Sequence, residues 1–349
     1  MGDLFDTRHP LVAAPMAGGP TTVVLATAAI EAGAFAFIAG GNKTVEALAA
    51  EIDRMRGLSA PFGVNLFVPP TRRVDRKSFA AYAHRLQPEA DGYGLELDPE
   101  PHGGDDAWAG KIDLLVREPV PVVSLTFGLP PRADVEALQR AGSRVLATVT
   151  SVPEAIAAER LGVDGLTVQG PRAGGHSAVH DPVRTPTPLE TAELVRLVSA
   201  ACPLPRIAAG GVDGPDAVAE LLAAGASAVA VGTLLLRTDE AGTSRAHRAA
   251  LDAARTRPDS ADHGTVLTRA FTGRPARALH CGFIDRHDAE APTGYPEVHH
   301  LTRELRQAAA RAGDTERVHA WAGTGHRAAP EGPAAAVFEW LAEGLAVSG

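Results

Sequence analysis

Lysine is nearly absent from this chain: Lys43, Lys77 and Lys111 are the only three in 349 residues. Schiff-base chemistry needs a lysine inside a pocket. Only Lys43 falls near an expected strand end, which argues against aldolase or pyridoxal chemistry. Cysteine is as scarce. Cys202 and Cys281 are too few and too isolated for a disulfide framework or a thiolate metal site, which suits a reducing cytosol. An excess of positive charge is missing too: 33 basic residues stand against 42 acidic ones, a net charge of -9, with no basic stripe of the kind that neutralises a nucleic-acid backbone. No apolar run reaches the length of a membrane span. Met1 to Pro10 carries Asp3, Asp6, Arg8 and His9 where a signal peptide has its apolar core, so a soluble, cytoplasmic chain with no membrane partner is expected. Nucleotide fingerprints are lacking as well. No G-x-G-x-x-G occurs, and Gly40-Gly41-Asn42-Lys43-Thr44 lacks the first glycine of a P-loop.

What is present is 45% hydrophobic side chains, enough for a large core, arranged as short apolar runs alternating with Ala- and Leu-rich segments of helical length. Eight strands are expected: 11–15, 34–39, 62–67, 120–126, 144–150, 165–169, 206–209 and 228–232. Eight βα units argue for an α/β fold closed as a (β/α)8 TIM barrel. Thr22 is placed to cap a helix ending near Gly33, and Ser151 with Glu154 reads as a capping box with Pro153 in the first turn. Asp213, Pro215 and Gly225 bracket a further helix. The run Gly92 to Leu97 also looks extended, but Asp91, Asp98 and Pro99 bound it and Glu96 interrupts it, so it is assigned to a long connection between strands three and four. A stretch of 116 residues follows Thr233, more than one barrel helix requires. The division expected is a barrel over 1–240, a smaller, mostly helical second domain inserted after strand eight over 241–310, and a segment 311–349 returning to the barrel.

In such barrels chemistry sits where strands end, because the βα loops vary freely while the interior does not. Strand seven runs into Gly210-Gly211-Val212-Asp213-Gly214 and strand eight into Gly232-Thr233, each before an expected helix start. Glycines admit close backbone approach, and unpaired N–H groups at a helix N-terminus attract a phosphate without any lysine. The plainer reading, tight turns alone, does not account for the paired spacing. Strand one ends in Ala14-Pro15-Met16-Ala17-Gly18 and strand three in Asn65-Leu66-Phe67. Small residues beside an amide suit a flat aromatic ring, although Asn65 taken singly reads as an element-end cap. Strand six supplies Gln169, then Gly170-Pro171-Arg172-Ala173-Gly174-Gly175-His176. Of the 13 histidines only His176 follows a strand end and two glycines, and an imidazole titrates near neutrality, so it is the catalytic candidate. Pairing His176 with His180, or using His299-His300, as metal ligands is disfavoured. The first stretch is a loop, and no carboxylate or thiolate spacing supports zinc, so no metal is expected.

These segments together resemble the nitronate monooxygenase family, formerly called 2-nitropropane dioxygenases: FMN-dependent barrels with a helical second domain. Thr238-Asp239-Glu240, Phe271-Thr272-Gly273-Arg274-Pro275, Tyr295-Pro296 and Trp321-Ala322-Gly323 extend the similarity over nearly the whole chain. The resemblance implies that Pro15, Met16 and Ala17 contact the flavin through backbone and that Asn65 and Gln169 hydrogen-bond FMN. It further implies that Gly174, Gly175, Gly210, Gly211, Gly232 and Thr233 hold the cofactor, chiefly its phosphate, and that His176 is the active-site base or electrostatic partner. It implies oxidation of small alkyl nitronates, or of nitroalkanes, with O2 to a carbonyl compound and nitrite. Arg172 stands where the family usually has an acidic residue and Ser177 where Arg or Gly is common, and Leu279-His280-Cys281-Gly282-Phe283 also departs from the family's text. Arg172, Ser177 and Tyr295 are therefore the expected substrate contacts. Two alternatives remain open: a flavin-dependent NAD(P)H reductase acting on an enoyl-acyl-carrier protein or a quinone, and a flavin-binding accessory protein without chemistry. The oligomeric state is not legible.

Overall fold

The computed structural model describes residues 5–58, 60–256 and 264–348; the start of the chain, and 257–263 within the expected second domain, lie outside the described residues. Eleven strands form: β1 Leu11–Ala13, β2 Phe35–Ala39, β3 Gly63–Phe67, β4 Val122–Thr126, β5 Arg144–Val149, β6 Gly165–Gln169, β7 Gly175–His176, β8 Arg206–Ala209, β9 Ala228–Val231, β10 Thr265–Thr268 and β11 Ala276–Leu279. Eight of them close a parallel barrel in the order β1-β2-β3-β4-β5-β6-β8-β9, and β9 pairs back onto β1 with Val12 opposite Ala230. The fold is the expected TIM barrel. Its strands stop short where proline removes a ladder donor, at Pro15 after β1 and at Pro121 before β4.

Alternation along each strand builds the barrel. In β2, Ala36 and Ile38 face the helices while Phe35 and Phe37 point inward. Phe35, Phe37, Val122, Leu146 and Ile207 fill the interior, with Phe5 stacked on Phe35 at 3.9 Å. Gly63 makes room here, since a Cβ would lie 2.3 Å from the Phe37 ring. Toward the C-terminal ends of the strands the inward positions turn small or polar: Ala14, Asn65, Ser124, Thr126, Thr148, Thr167, Gln169 and Ala209 line a cavity of about 310 Å³.

Local expectations hold in part. Thr22 caps the helix Val23–Glu31 by accepting from Leu25 N at 2.9 Å. Ser151 caps Val152–Leu161, but the capping box is incomplete, because Glu154 is spent on the backbone and hydroxyl of Thr150 and on His180 N. The helix Pro215–Ala223 has Gly214, not Asp213, at its cap, with no side-chain cap hydrogen bond. Gly92 to Leu97 forms no strand. It turns back after the helix Arg76–Asp91, held by Gln87, which accepts from Leu97 N and donates to Leu95 O.

The region expected to be mostly helical also contains β10 and β11, and β11 pairs antiparallel with β7, Ala276 opposite His176. A second apolar cluster joins Phe79, Tyr82 and Leu86 to Phe271, Phe283, Val298 and Leu305. The helix Arg76–Asp91 therefore packs with residues almost two hundred positions downstream, a partnership that local periodicity does not reveal. The helix Ala334–Ala342 packs against Val23–Glu31 and Pro215–Ala223 on the barrel wall.

Candidate active site

One wall of the cavity is built from glycine. Gly210 and Gly211 have φ of +104° and +82°, values that favour glycine, and a Cβ on Gly210 would lie 2.8 Å from Ala173 N. Gly232 opens the short helix Thr233–Leu235, which has no side-chain cap. The Thr233 hydroxyl accepts from Gly323 N at 2.9 Å. A Cβ on Gly174 would stand 2.4 Å from Gly323 N and 2.6 Å from the Ala322 carbonyl carbon, so the loop after β6 and the segment 322–323 touch backbone to backbone. Gly174→Ala is expected to force these backbones apart, with a lower melting temperature and a loss of stability of about 1–3 kcal/mol; an unchanged thermal melt would refute the contact.

Pro15, Met16 and Ala17 form a turn at the cavity rim, in which Thr21 Oγ1 accepts from Met16 N at 2.7 Å. Asn65 is buried, and its Nδ2 donates to the Ser124 carbonyl and to the hydroxyls of Ser124 and Thr126 at 3.3, 2.8 and 2.9 Å. A carbonyl only accepts, so the amide nitrogen must face Ser124. Gln169 is committed to its own loop: Nε2 donates to His176 O at 3.1 Å and Oε1 accepts from Ala178 N at 2.7 Å. Its first duty is to shape the turn that carries His176.

His176 lines the cavity, with Nε2 at 2.9 Å from Thr272 Oγ1. Burial, reinforced by the guanidiniums of Arg274 and Arg306, pushes its pKa down to about 3, so the imidazole is neutral at physiological pH. Phe127 and Tyr295 meet it edge-on, with ring centroids at 5.6 and 5.2 Å, and Trp321 lies at 5.4 Å. Phe127 holds a φ of +82°, strained for an aromatic residue, with the Arg274 guanidinium 4.0 Å over its ring.

The three expected substrate contacts are placed differently. Arg172 lines the cavity, and its partly exposed guanidinium is ion-paired with Glu190 at 2.6 Å. Ser177 is buried away from the cavity: its N–H donates to Pro275 O and its carbonyl accepts from Arg274 Nε, contacts that dock the loop on the second lobe. Tyr295 stays beside His176, its hydroxyl donating to Asn42 Oδ1 at 3.1 Å. Asn42, from the glycine-rich stretch after β2, takes φ +61° and donates its N–H to Asp106, so that its side chain is held where it orients the tyrosine. Residues not foreseen also line the cavity: His247, His299, Arg306, His319, Trp321 and Gly323. The one local signal for them is the spacing of His299 and Arg306, seven residues apart on the helix Glu297–Ala312, which puts them on one face.

This combination, a parallel barrel whose C-terminal mouth has an uncapped glycine cradle on one side and a neutral imidazole among aromatic rings on the other, defines the class: a flavin oxidoreductase. The family model for nitronate monooxygenase matches residues 1–344, and the chain belongs to that family. A probable nitronate monooxygenase of Staphylococcus saprophyticus is 34% identical over 331 residues, covering 93% of this chain and 91% of its own. A probable nitronate monooxygenase of Staphylococcus aureus strain JH9 is 32% identical, covering 95% and 92%. Among solved structures, a nitroalkane oxidase from Streptomyces ansochromogenes superposes with a TM-score of 0.90 at 44% identity, covering 98% of this chain and 96% of its own. FabK from Thermotoga maritima gives 0.74 at 25% identity, covering 99% and 95%. Among the described residues no helix is long and apolar enough to cross a membrane.

Proposed function

We propose that this enzyme binds FMN and oxidises small alkyl nitronates with O2 to a carbonyl compound and nitrite. The observation that carries the FMN reading is the cradle: Gly210, Gly211, Gly232 and Gly174 keep Cβ atoms out of one cavity wall, where the helix Thr233–Leu235 starts without a side-chain cap. In this reading Gly175 and Thr233 complete the phosphate site. The Pro15-Met16-Ala17 turn lies along the ring, and Asn65 and the second Nε2 hydrogen of Gln169 meet its polar edge. Bound there, FMN supplies a two-electron sink for the substrate and a reductant for oxygen. The two buried free thiols, Cys202 and Cys281, fit a reducing cytosol.

His176 favours a substrate that arrives already ionised. An imidazole held far below its ordinary basicity is a poor acceptor for a carbon-bound proton, whereas in the tautomer whose Nε2 accepts from Thr272 Oγ1 its Nδ1–H is left to donate to a nitronate oxygen. A second reading, direct attack on neutral nitroalkanes, is favoured by the likeness to a nitroalkane oxidase. One stopped-flow experiment separates them. Purified protein is expected to be yellow, and ethyl nitronate is expected to bleach its flavin without air roughly 100-fold faster than nitroethane, in line with the rate factor a positioned base supplies. Equal rates would establish the nitroalkane reading, and faster bleaching by NAD(P)H would replace both with a reductase.

Gln169→Leu tests the loop. Leaving His176 O and Ala178 N without partners is expected to lower turnover by about tenfold while FMN stays bound, since an orphaned buried polar group costs roughly 1–3 kcal/mol. If the variant instead loses FMN and keeps its specific activity on reconstitution, Gln169 is a cofactor ligand alone.

A further inference from the structure

The buried cation beside His176 has no counter-ion. Arg306 is 4% exposed, and its guanidinium contacts only neutral groups. Nε donates to Thr302 Oγ1 at 3.0 Å, Nη1 meets His319 Nε2 at 3.0 Å, and Nη2 meets His299 Nδ1 and His299 O at 3.3 and 3.0 Å. Among the described residues none of its contacts is a carboxylate. Buried charges in folded proteins are paired as a rule, because an isolated one gives up its hydration for nothing.

The hydrogen bonds fix what the neighbours present. A guanidinium has no lone pair to offer, so each imidazole must turn an unprotonated nitrogen toward it. His319 then carries its proton on Nδ1 and His299 on Nε2. His319 Nδ1 is buried and has no hydrogen-bond partner in the fold. Burial, with Arg306 next in effect, keeps both imidazoles neutral, so they act as donors without adding charge. The cluster is thus one cation and two N–H groups, of which that on His319 Nδ1 has no acceptor in the fold.

Its position relates it to the reacting group. His176 packs on Trp321 and on Tyr295; Trp321 packs on His319 at 5.2 Å, and Tyr295 packs on His299 at 5.8 Å. With Arg306 joining His319 to His299, six side chains make a closed circuit of contacts, His176 at one pole and the guanidinium at the other. His176, His299, Arg306, His319 and Trp321 all line the cavity.

We infer that Arg306, His299 and His319 form a binding site for a planar, singly charged oxyanion of the XO2 kind, a nitronate, nitrite or carboxylate group, and that this site rather than His176 holds the negative charge of the substrate. The inference deepens the nitronate reading and rests on it for the name of the substrate, while the anion site itself is testable without turnover.

The test is calorimetric titration of the flavin-loaded protein with sodium nitrite and sodium acetate, with nitroethane as the neutral control. Wild type binds the anions, and Arg306→Gln weakens both at least tenfold while changing nitroethane less than twofold. Arg306→Lys restores part of the affinity by returning the charge. A preference for nitrite assigns the site to the reacting group, and a preference for acetate assigns it to a carboxylate elsewhere on the substrate. Absence of anion binding in wild type, or equal binding by a folded Arg306→Gln, overturns the proposal. Should Arg306→Gln fail to fold, His319→Phe keeps the ring volume and the charge but removes the donor. Its expected effect is a three- to tenfold loss of anion affinity, and unchanged affinity is equally fatal. Anion binding that depends on Arg306 in a protein inert toward nitronates would sink the reaction and leave the site. Nitronate turnover with anion binding indifferent to Arg306 would do the opposite.

Discussion

His176→Asn is expected to leave FMN bound and to lower oxidation of ethyl nitronate by about two to three orders of magnitude, the range that removal of one preorganised donor to an oxyanion costs. The geometry makes the comparison clean. The loop that carries residue 176 is held by side chains other than the imidazole: Gln169 grips His176 O and Ala178 N, Arg274 grips Ser177 O and Val179 O, and β7 pairs with β11 through backbone. An asparagine there keeps the backbone and a donor near Thr272 but loses the ring that packs on Tyr295 and Trp321. The glycine cradle is made by other residues, so the flavin absorbance of the variant should match wild type. Turnover within a few-fold of wild type would show that His176 only fills space. The pH profile adds a second check. Because His176 titrates near 3, no break in kcat between pH 6 and 7 is expected from it. A break there that disappears in the variant would contradict the burial argument.

Acid is expected to unfold the protein well above the carboxylate range. Four cavity imidazoles are held neutral, chiefly by burial: His176 near 3, His247 near 4, His299 near 2 and His319 well below its ordinary value. Unfolded, each titrates near 6.5, so below that pH the unfolded chain binds protons that the native chain refuses, and stability falls with pH. The contribution is complete above pH 6.5 and shrinks as pH drops toward each folded value. Each group adds about 1.4 kcal/mol per pH unit, so by pH 5 His176, His247 and His299 together remove up to roughly 6 kcal/mol, comparable with the whole stability of an ordinary domain, and His319 acts in the same direction. The melting temperature should drop by roughly 10–20 °C between pH 7.5 and 5. Glu89 does not contribute in this window. Burial opposes its ionisation, but hydrogen bonds from Arg286, His287 and Arg317 outweigh that and hold it near 2, so its share is lost only below about pH 4.5. His247→Gln keeps a donor for the Trp321 carbonyl, 3.0 Å away in the wild type, and removes one titrating group. Its melting temperature should fall less steeply with pH. A flat melting curve from pH 7.5 to 5 in the wild type would sink the argument.

The barrel was legible because each strand is a short apolar run, as in Phe35-Ala36-Phe37-Ile38-Ala39, set between segments of helical length. Gly210, Gly211, Gly232 and His176, which line the cavity, stood out as residues that follow such strand ends. The opposite wall was not legible. Arg306 looks like any helix arginine until the helix Glu297–Ala312 is docked on the barrel mouth, and nothing local says that no carboxylate will meet it. Arg172 shows the converse: it lines the cavity, and the carboxylate that pairs with it, Glu190, stands eighteen residues on. Charge partners are a property of the tertiary structure, and spacing in the chain does not fix them.

The backbone seam between Gly174 and Gly323 has a consequence for how the enzyme is made. While the chain is still emerging from the ribosome, strands, glycine turns and His176 can all be in place with one flank of the pocket open to water, because the side that Trp321, Gly323 and Gly325 supply has yet to be translated. In the proposed FMN reading, a chain cut short before residue 321 lacks that flank, and its affinity for FMN is expected to fall below that of the full chain, as a flavin-fluorescence titration would measure.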